Sequence, residues 1–235
     1  TRSIGCTCIG LVYLDGTGMR LLLAGGTGLI GGEVLRLGLK NGHEIMTVGR
    51  RPTGMASSEI VSSFDDLPQL PPADVAICAL GTTIRQAGTQ AAFRAIDEEA
   101  VSSFAKAAKA AGVDHFLVVT AVGASPDASI FYSRVKGQTE GQLMMIGFKR
   151  LDIIRPGLLL GDRKERRPIE VLLQHIAPAT DLLMRGKWRR YRSVQAADAA
   201  HCLLGLAASN EPGVYIHHFD DIMKVLQSPL QDVTK

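Results

Sequence analysis

Tyr132 and Lys136 stand four residues apart in Tyr132-Ser133-Arg134-Val135-Lys136. On a helix that spacing puts both side chains on one face. A free phenol, with a pKa of about 10, is a poor proton donor or acceptor near neutrality. A neighbouring ammonium favours the phenolate and lowers that value. Tyr132 is therefore the candidate to protonate a carbonyl oxygen during hydride delivery, or to take a proton in the reverse direction. Lys136 is the candidate to tune it and to hold a nicotinamide ribose. A hydroxyl that orients the carbonyl is expected where the preceding strand ends, in Val119-Thr120-Ala121-Val122-Gly123-Ala124-Ser125, with Thr120 the first choice and Ser125 the second. Thr120 reads equally well as a β-branched strand residue. Tyr and Lys at this spacing occur on many surface helices, so the pattern takes its weight from its surroundings.

The chief surrounding feature is Ala24-Gly25-Gly26-Thr27-Gly28-Leu29-Ile30-Gly31-Gly32, which follows an apolar strand candidate and opens a helix. Its spacing is G-x-x-G-x-x-G. Gly25 allows a tight turn, Gly28 lets the backbone approach a pyrophosphate, and Gly31 lets the helix pack on the sheet. The free N–H groups and dipole of the helix N-terminus favour the anion. The second strand candidate ends in Val48-Gly49-Arg50-Arg51-Pro52. An NAD site places an acid there to bind the ribose hydroxyls. Arg50 and Arg51 suit a 2′-phosphate instead, so NADP(H) is favoured over NAD(H).

The elements that must position these residues alternate along the chain. Strands are expected at Arg20–Ala24, Glu44–Val48, weakly at Glu59–Ser62, at Asp74–Ala79, His115–Thr120 and Leu151–Ile154. Helices are expected at Gly28–Lys40, Gln90–Ala111, Tyr132–Ile146 and Ala196–Ala208. Strands that are apolar throughout, separated by helices, predict an α/β fold: a Rossmann-type doubly wound parallel sheet, with a small substrate subdomain mainly in 157–235. Residues 1–18 read as an N-terminal extension, with Met19 a plausible natural start, and 19–235 as a single domain.

The chain has 235 residues, 46% of them apolar, enough to bury a core without disulfide or metal staples. No run reaches the roughly 18 apolar residues of a membrane-spanning helix. Four cysteines are too few for a disulfide scaffold, and a reducing, cytoplasmic compartment is expected. The net charge of +3 is uneven: Lys149 to Arg192 holds 12 basic and 5 acidic residues. That stretch suits either an anionic ligand or a solvated basic face.

The motifs together resemble those of the atypical short-chain dehydrogenases/reductases, and more narrowly of the Tat-interacting-protein-like oxidoreductases. The resemblance rests on Gly25–Gly31, on Cys78-Ala79-Leu80-Gly81-Thr82-Thr83 with Arg85, on Tyr132–Lys136 with Gly137, and on Arg155-Pro156-Gly157 through Arg167-Pro168. Val194–Ala199 is similar to the opening of a late helix in extended members, and the match runs from about residue 20 to 225. It implies that Leu80, Gly81, Thr82 and Thr83 pass along the cofactor and that Pro156 lies near the nicotinamide. Two positions depart from the common pattern: Thr120-Ala121 stands where many members carry serine, and Asp97 where many carry a structural asparagine.

Other features are weaker. His217-His218-Phe219-Asp220-Asp221 clusters ligand-type residues, but adjacent histidines of an extended segment point to opposite sides, so no metal is expected and an aspartate is read as a helix cap. Cys78 lies in a buried-looking strand without an activating base. His175 and His201 read as packing residues. Lys187-Trp188-Arg189-Arg190-Tyr191-Arg192 is a solvated loop, a contact for an anionic substrate, or, last, a nucleic-acid surface. Three readings of function follow: an NADP(H)-dependent oxidoreductase acting on a small carbonyl or alcohol, a non-catalytic NADP(H)-binding regulator, and a sugar epimerase. A homodimer through the helices Gln90–Ala111 and Tyr132–Ile146 is a further expectation.

Overall fold

The computed structural model describes residues 18–161 and 184–227. In chain order the strands are β1 (Arg20–Ala24), β2 (Glu44–Gly49), β3 (Ser58–Val61), β4 (Val75–Cys78), β5 (His115–Val119), β6 (Arg150–Ile154), β7 (Leu159–Leu160), β8 (Val194–Gln195) and β9 (Gly213–His217). The helices are α1 (Leu29–Lys40), α2 (Ile84–Ala87), α3 (Gln90–Arg94), α4 (Val101–Ala110), α5 (Phe131–Ile146), α6 (Ala196–Ala207) and α7 (Phe219–Gln227). Seven strands pair in the order β3-β2-β1-β4-β5-β6-β9, all parallel, while β7 and β8 form a separate two-stranded ladder.

The apolar runs explain the layering. Successive residues of a strand face opposite sides. Leu21 and Leu23 face one core with Ile77, Leu117 and Ile154, covered by Val34 and Leu35 of α1 and by Leu203 and Leu204 of α6. Leu22 and Ala24 face the other with Met46, Cys78 and Phe116, covered by Phe104 of α4 and Leu143 of α5. A strand buried on both sides must be apolar along its buried length, and β1 is so from Leu21 to Ala24. Each fully buried leucine there contributes about 1.5–3 kcal/mol, which makes β1 the anchor of the sheet.

The chain runs outward from β1 to β3, then returns to β4 and runs outward the other way. The reversal opens a crevice between the carboxyl ends of β1 and β4, the place where open α/β sheets bind ligands. Ala79 N–H donates to the Ala24 carbonyl at 2.9 Å and holds the two strand ends together.

Three differences from the sequence reading have physical causes. The helix expected over Gln90–Ala111 is interrupted by a π turn at Ala95–Ala100, between α3 and α4. Strand β9 was not foreseen, because it is an edge strand with one neighbour, β6, and its residues alternate between partly buried and exposed where the central strands β4 and β5 are buried throughout. The short helix α2 depends on a cap that apolar periodicity does not show: the Thr83 hydroxyl accepts from Gln86 N–H at 3.2 Å. Residues 1–17 of the expected extension lie outside the described residues, as do Arg163, Glu165, Arg167, Pro168 and His175.

One polar node is built into the apolar sheet. Asp152 of β6 has no exposed surface. It accepts from Arg150 Nε at 2.6 Å and Nη2 at 3.0 Å, from His115 Nε2 of β5 at 2.8 Å and from His217 Nε2 of β9 at 2.7 Å. An ionised carboxylate only accepts, so both imidazoles present Nε2–H to it. The Arg150 guanidinium lies 4.3 Å over the Tyr215 ring. Burial opposes ionisation of Asp152, but the hydrogen bonds from His115, His217 and Arg150 outweigh it and hold the carboxyl well below the usual carboxylate range.

Replacing Asp152 by Asn leaves the Arg150 charge buried without its partner, and the expected cost is about 3–5 kcal/mol in urea unfolding at neutral pH. The pH dependence has a definite sign. A depressed carboxyl contributes stability that is complete above its unfolded value of about 3.9 and is lost as pH falls toward the folded value. Wild type should therefore lose stability below about pH 4 more steeply than Asp152→Asn. Parallel acid limbs in the two proteins refute this account of the node.

Candidate cofactor and active site

The glycine turn has the geometry its spacing predicts. Gly25 has φ +87°, and a Cβ there would lie 2.6 Å from the Ala79 carbonyl. A Cβ on Gly31 would run into the Gly25 carbonyl oxygen, so α1 begins directly on the turn. Gly28 N–H donates to Gly25 O at 2.8 Å and closes it. No side chain caps α1 and no acid occupies its first turn. The positive end of the helix is thus left for an anion. Thr27 and Gly28 are exposed at the mouth, whereas the Ile30 side chain belongs to the core and Leu29 packs partly buried beside it.

Arg50 and Arg51 follow β2 and are exposed, and neither makes a hydrogen bond or ion pair among the described residues. The turn after them is fastened by Glu59 of β3, which accepts from Thr53 N–H at 2.8 Å, from Gly54 N–H at 2.7 Å and from the Thr53 hydroxyl. The Thr53 hydroxyl, ahead of the backbone donors, holds the Glu59 carboxyl below its ordinary value. This acid is therefore engaged by its own loop.

Past β4 the chain crosses from the glycine turn to Lys136. The Cβ position of Gly25 faces the backbone of Ala79 and Leu80, and that of Gly81 lies 3.4 Å from Asp97 Oδ1 and 3.6 Å from Lys136 Nζ. Thr82 N–H donates to Asp97 Oδ2 at 2.9 Å. The Lys136 ammonium is 2.7 Å from Asp97 Oδ1, with side-chain exposures of 4% and 0%. Tyr132, one turn before Lys136 on α5, packs its ring on Phe93 with centroids 5.5 Å apart.

The expected depression of the Tyr132 phenol is not what these surroundings produce. Burial pushes the phenol above its ordinary value, and Asp97 adds to that, against the lowering effect of Lys136. Burial also works against the Lys136 ammonium, but Asp97 and Tyr132 outweigh it and hold the lysine above its usual range. Asp97 is raised by burial in spite of Lys136 and Thr82. Between those two values the pair is carboxylate and ammonium. Cys78 is fully buried and its thiol is pushed up to about 12, which leaves it unreactive.

Thr120 also differs from expectation. Its hydroxyl donates to Glu140 Oε1 at 2.6 Å, and Glu140 accepts from Arg155 Nε at 3.0 Å and from Arg155 Nη2. The hydrogen meant for a substrate carbonyl is thus given to a buried carboxylate. Ser125 lies where the loop before α5 crosses Gly137, with its N–H on the Ser133 carbonyl at 3.1 Å. Pro156 is held by Val122 N–H on its carbonyl at 2.9 Å. Glu140 and Arg155 escaped the sequence reading as site residues, since a glutamate inside a helix and an arginine after a strand carry no local signal of pairing.

The basic turn is a 3-10 helix over Gly186–Tyr191. Arg189 pairs with Asp220 through Nε at 2.8 Å and Nη2 at 2.6 Å. Arg192 donates to the Met184 carbonyl at 2.8 Å and 3.1 Å and lies over Phe219. These two fasten the turn to α7, whereas Arg190 is exposed with its guanidinium 5.1 Å over the Tyr191 ring. His218 N–H donates to Asp221 Oδ2 at 3.1 Å, so Asp221 caps α7.

No family model matches the chain. It is 38% identical over 156 residues, 62% of this chain and 67% of the relative, to "Protein FMP52, mitochondrial" of Meyerozyma guilliermondii. It is 35% identical over 164 residues, 65% of this chain and 67% of the relative, to "Protein HTATIP2" of Rattus norvegicus. Among solved structures, human epimerase family protein SDR39U1 with NADPH aligns with a TM-score of 0.62 at 23% identity, over 85% of this chain and 74% of that one. MoeE5 in complex with UDP-glucose and NAD aligns with a TM-score of 0.65 at 16% identity, over 87% and 80%. Both show the same Rossmann-type fold as this chain. The fungal relative is named mitochondrial, which overturns the cytoplasmic expectation drawn from cysteine usage.

The cradle is testable without any ligand. Gly25→Ala meets both a positive φ and backbone 2.6 Å away, and should cost about 2 kcal/mol or more, a fall of roughly 4–8 °C in thermal midpoint. Gly81→Ala meets only ordinary contacts at 3.4 Å and 3.6 Å, and should melt within about 2 °C of wild type. Equal midpoints for the two variants would contradict the geometry.

Proposed function

We propose, from the premise that this chain belongs to the family of the HTATIP2 and FMP52 proteins, that it is an NADP(H)-dependent oxidoreductase acting on a small carbonyl or alcohol. The observation that supports this most is one of continuity. The Gly25 turn abuts Ala79 and Leu80, and Gly81 overlies the Lys136–Asp97 pair beneath Tyr132. An anion cradle and a half-buried proton donor therefore share the carboxyl edge of the sheet, at the strand-order reversal.

A dinucleotide fits the residues present. The uncapped N-terminus of α1 and the absence of a Cβ at Gly25, Gly26 and Gly28 suit a pyrophosphate. Arg50 and Arg51, without carboxylate partners, suit a 2′-phosphate, and Glu59, engaged by its own turn, is not free for a ribose hydroxyl. When bound, the nicotinamide supplies or accepts hydride. Tyr132 gives its phenolic proton to the substrate oxygen, and Lys136 stabilises the phenolate left behind. Leu80 to Thr83 form the floor over which the cofactor lies. Arg190, the arginine of the basic turn that is neither paired with a carboxylate nor bonded to a carbonyl, suits an anionic group on the substrate.

One observation favours a second reading, a cofactor-binding protein without turnover: the Thr120 hydroxyl is committed to Glu140, so no carbonyl-orienting hydroxyl is supplied there.

Nicotinamide fluorescence titrations should show NADPH bound more tightly than NADH. Arg50→Ala/Arg51→Ala should weaken NADPH by about tenfold or more and leave NADH within about threefold. Equal losses for both cofactors would sink the 2′-phosphate assignment. Tyr132→Phe should keep NADPH affinity and lose turnover on a panel of carbonyl compounds by about 10²-fold or more. Turnover unchanged by that substitution would remove Tyr132 as the proton donor, and a wild type that binds NADPH but reduces nothing would favour the second reading.

A further inference from the structure

Two helical segments meet face to face beside the site, with two rungs between them. Phe93 and Asp97 are four residues apart on one, and Tyr132 and Lys136 four apart on the other. Phe93 packs on the Tyr132 ring, and Asp97 pairs with Lys136. The π turn at Ala95–Ala100 sets the second rung. The main chain at Asp97 is pinned from α5, because the Thr139 hydroxyl is 3.0 Å from the Asp97 carbonyl oxygen and 2.9 Å from that of Val135. The second oxygen of the Asp97 side chain is fixed by Thr82 N–H at 2.9 Å. Asp97 is thus held from the cofactor floor, from the helix of the proton donor and from the buried ammonium at once.

We propose that Asp97 is a positioning residue that neutralises Lys136 and keeps the Tyr132 phenol protonated, so that the site is built to give a proton to a substrate oxygen rather than to take one. This rests on the oxidoreductase reading above. An asparagine would fill the same volume and could accept from Thr82, but it would leave the ammonium uncompensated beside the phenol, the arrangement that favours phenolate. With the carboxylate present, the space around the phenol carries no net charge. The ionisable groups that face it are Lys136 from its own helix and Asp97 from the π turn. Cys78, the ionisable group of β4 that borders this pair, stays a neutral thiol. In the forward step hydride reaches the carbonyl carbon, the phenol O–H bond breaks and the new O–H forms on the substrate oxygen. The phenolate is then reprotonated from solvent. The reverse step must begin from the phenolate, which this site disfavours near neutrality. Carbonyl reduction therefore persists to high pH, and alcohol oxidation waits for it.

Tyr132 ionisation is read as the phenolate absorbance difference between wild type and Tyr132→Phe, and again between Asp97→Asn and Asp97→Asn/Tyr132→Phe. The expected wild-type value lies above that of free tyrosine, about 10. In the asparagine pair it should fall by about one pH unit or more, and the alkaline limb of carbonyl reduction should move down with it. A wild-type phenol that ionises below about pH 9 overturns the proposal, whether or not the variant folds. So does an ionisation that Asp97→Asn leaves in place. If the phenol titrates high, falls in the asparagine variant and yet no carbonyl is reduced, the counter-ion role stands and the oxidoreductase reading fails.

Discussion

Lys136 lies in the interior with its ammonium 2.7 Å from Asp97, and most of the site is arranged around that pair. A buried ammonium without a counter-ion is several kcal/mol unfavourable, so either the lysine loses its proton or a carboxylate is brought to it. This chain brings the carboxylate, and the local structure follows. The π turn interrupts a helix that apolar spacing alone would have run straight. Thr82 N–H, one residue past the Gly81 crossing, turns toward Asp97. The Thr139 hydroxyl ties the same turn to α5. The segment after β4, the π turn and α5 are thereby coupled through one ion pair.

The parallel sheet imposes the second constraint. With helices on both sides its strands must be apolar throughout, which leaves the carboxyl ends of the strands as the place where polar groups can gather around a ligand. Where polar groups do enter the layers they come as satisfied sets. Asp152 takes donors from three neighbouring strands, and Glu140 takes Thr120 and Arg155. Each set ties elements that apolar packing alone would allow to slide, because a ladder of leucines and valines has few marks of register.

The parts legible in the sequence are those governed by local rules. Three consecutive leucines after Arg20, followed directly by a glycine turn, read as a short buried strand, and the bounds Arg20–Ala24 agree with the structure. At Gly25 and Gly31 backbone contacts forbid a Cβ, so that part of the spacing could be read without coordinates. The parts that were not legible depend on partners far away in sequence. The upward shift at Tyr132 comes first from burial, which the Y-x-x-x-K pattern does not encode, with a smaller contribution from Asp97, 35 positions earlier. The fate of the Thr120 hydroxyl is set by Glu140, 20 positions later. Arg189 and Arg192 could be read as part of a solvated loop or as contacts for an anionic substrate, because composition counts charges without their partners, and both fasten a turn to a helix.

Burial sorts the cations at this edge of the sheet into two kinds. Lys136 and Arg155, which are buried or nearly so, each have a carboxylate within hydrogen-bonding distance. Arg50, Arg51 and Arg190, which are exposed, have none among the described residues. The division follows from solvation energy: water supports an unpaired guanidinium at the rim, whereas the interior does not. Each buried cation is therefore balanced by a carboxylate beside it, Lys136 by Asp97 and Arg155 by Glu140. At the rim Arg189 is paired with Asp220, while the charges of Arg50, Arg51 and Arg190 are left to solvent. A chain of modest overall charge can in this way present a cationic entrance to an electrically neutral centre.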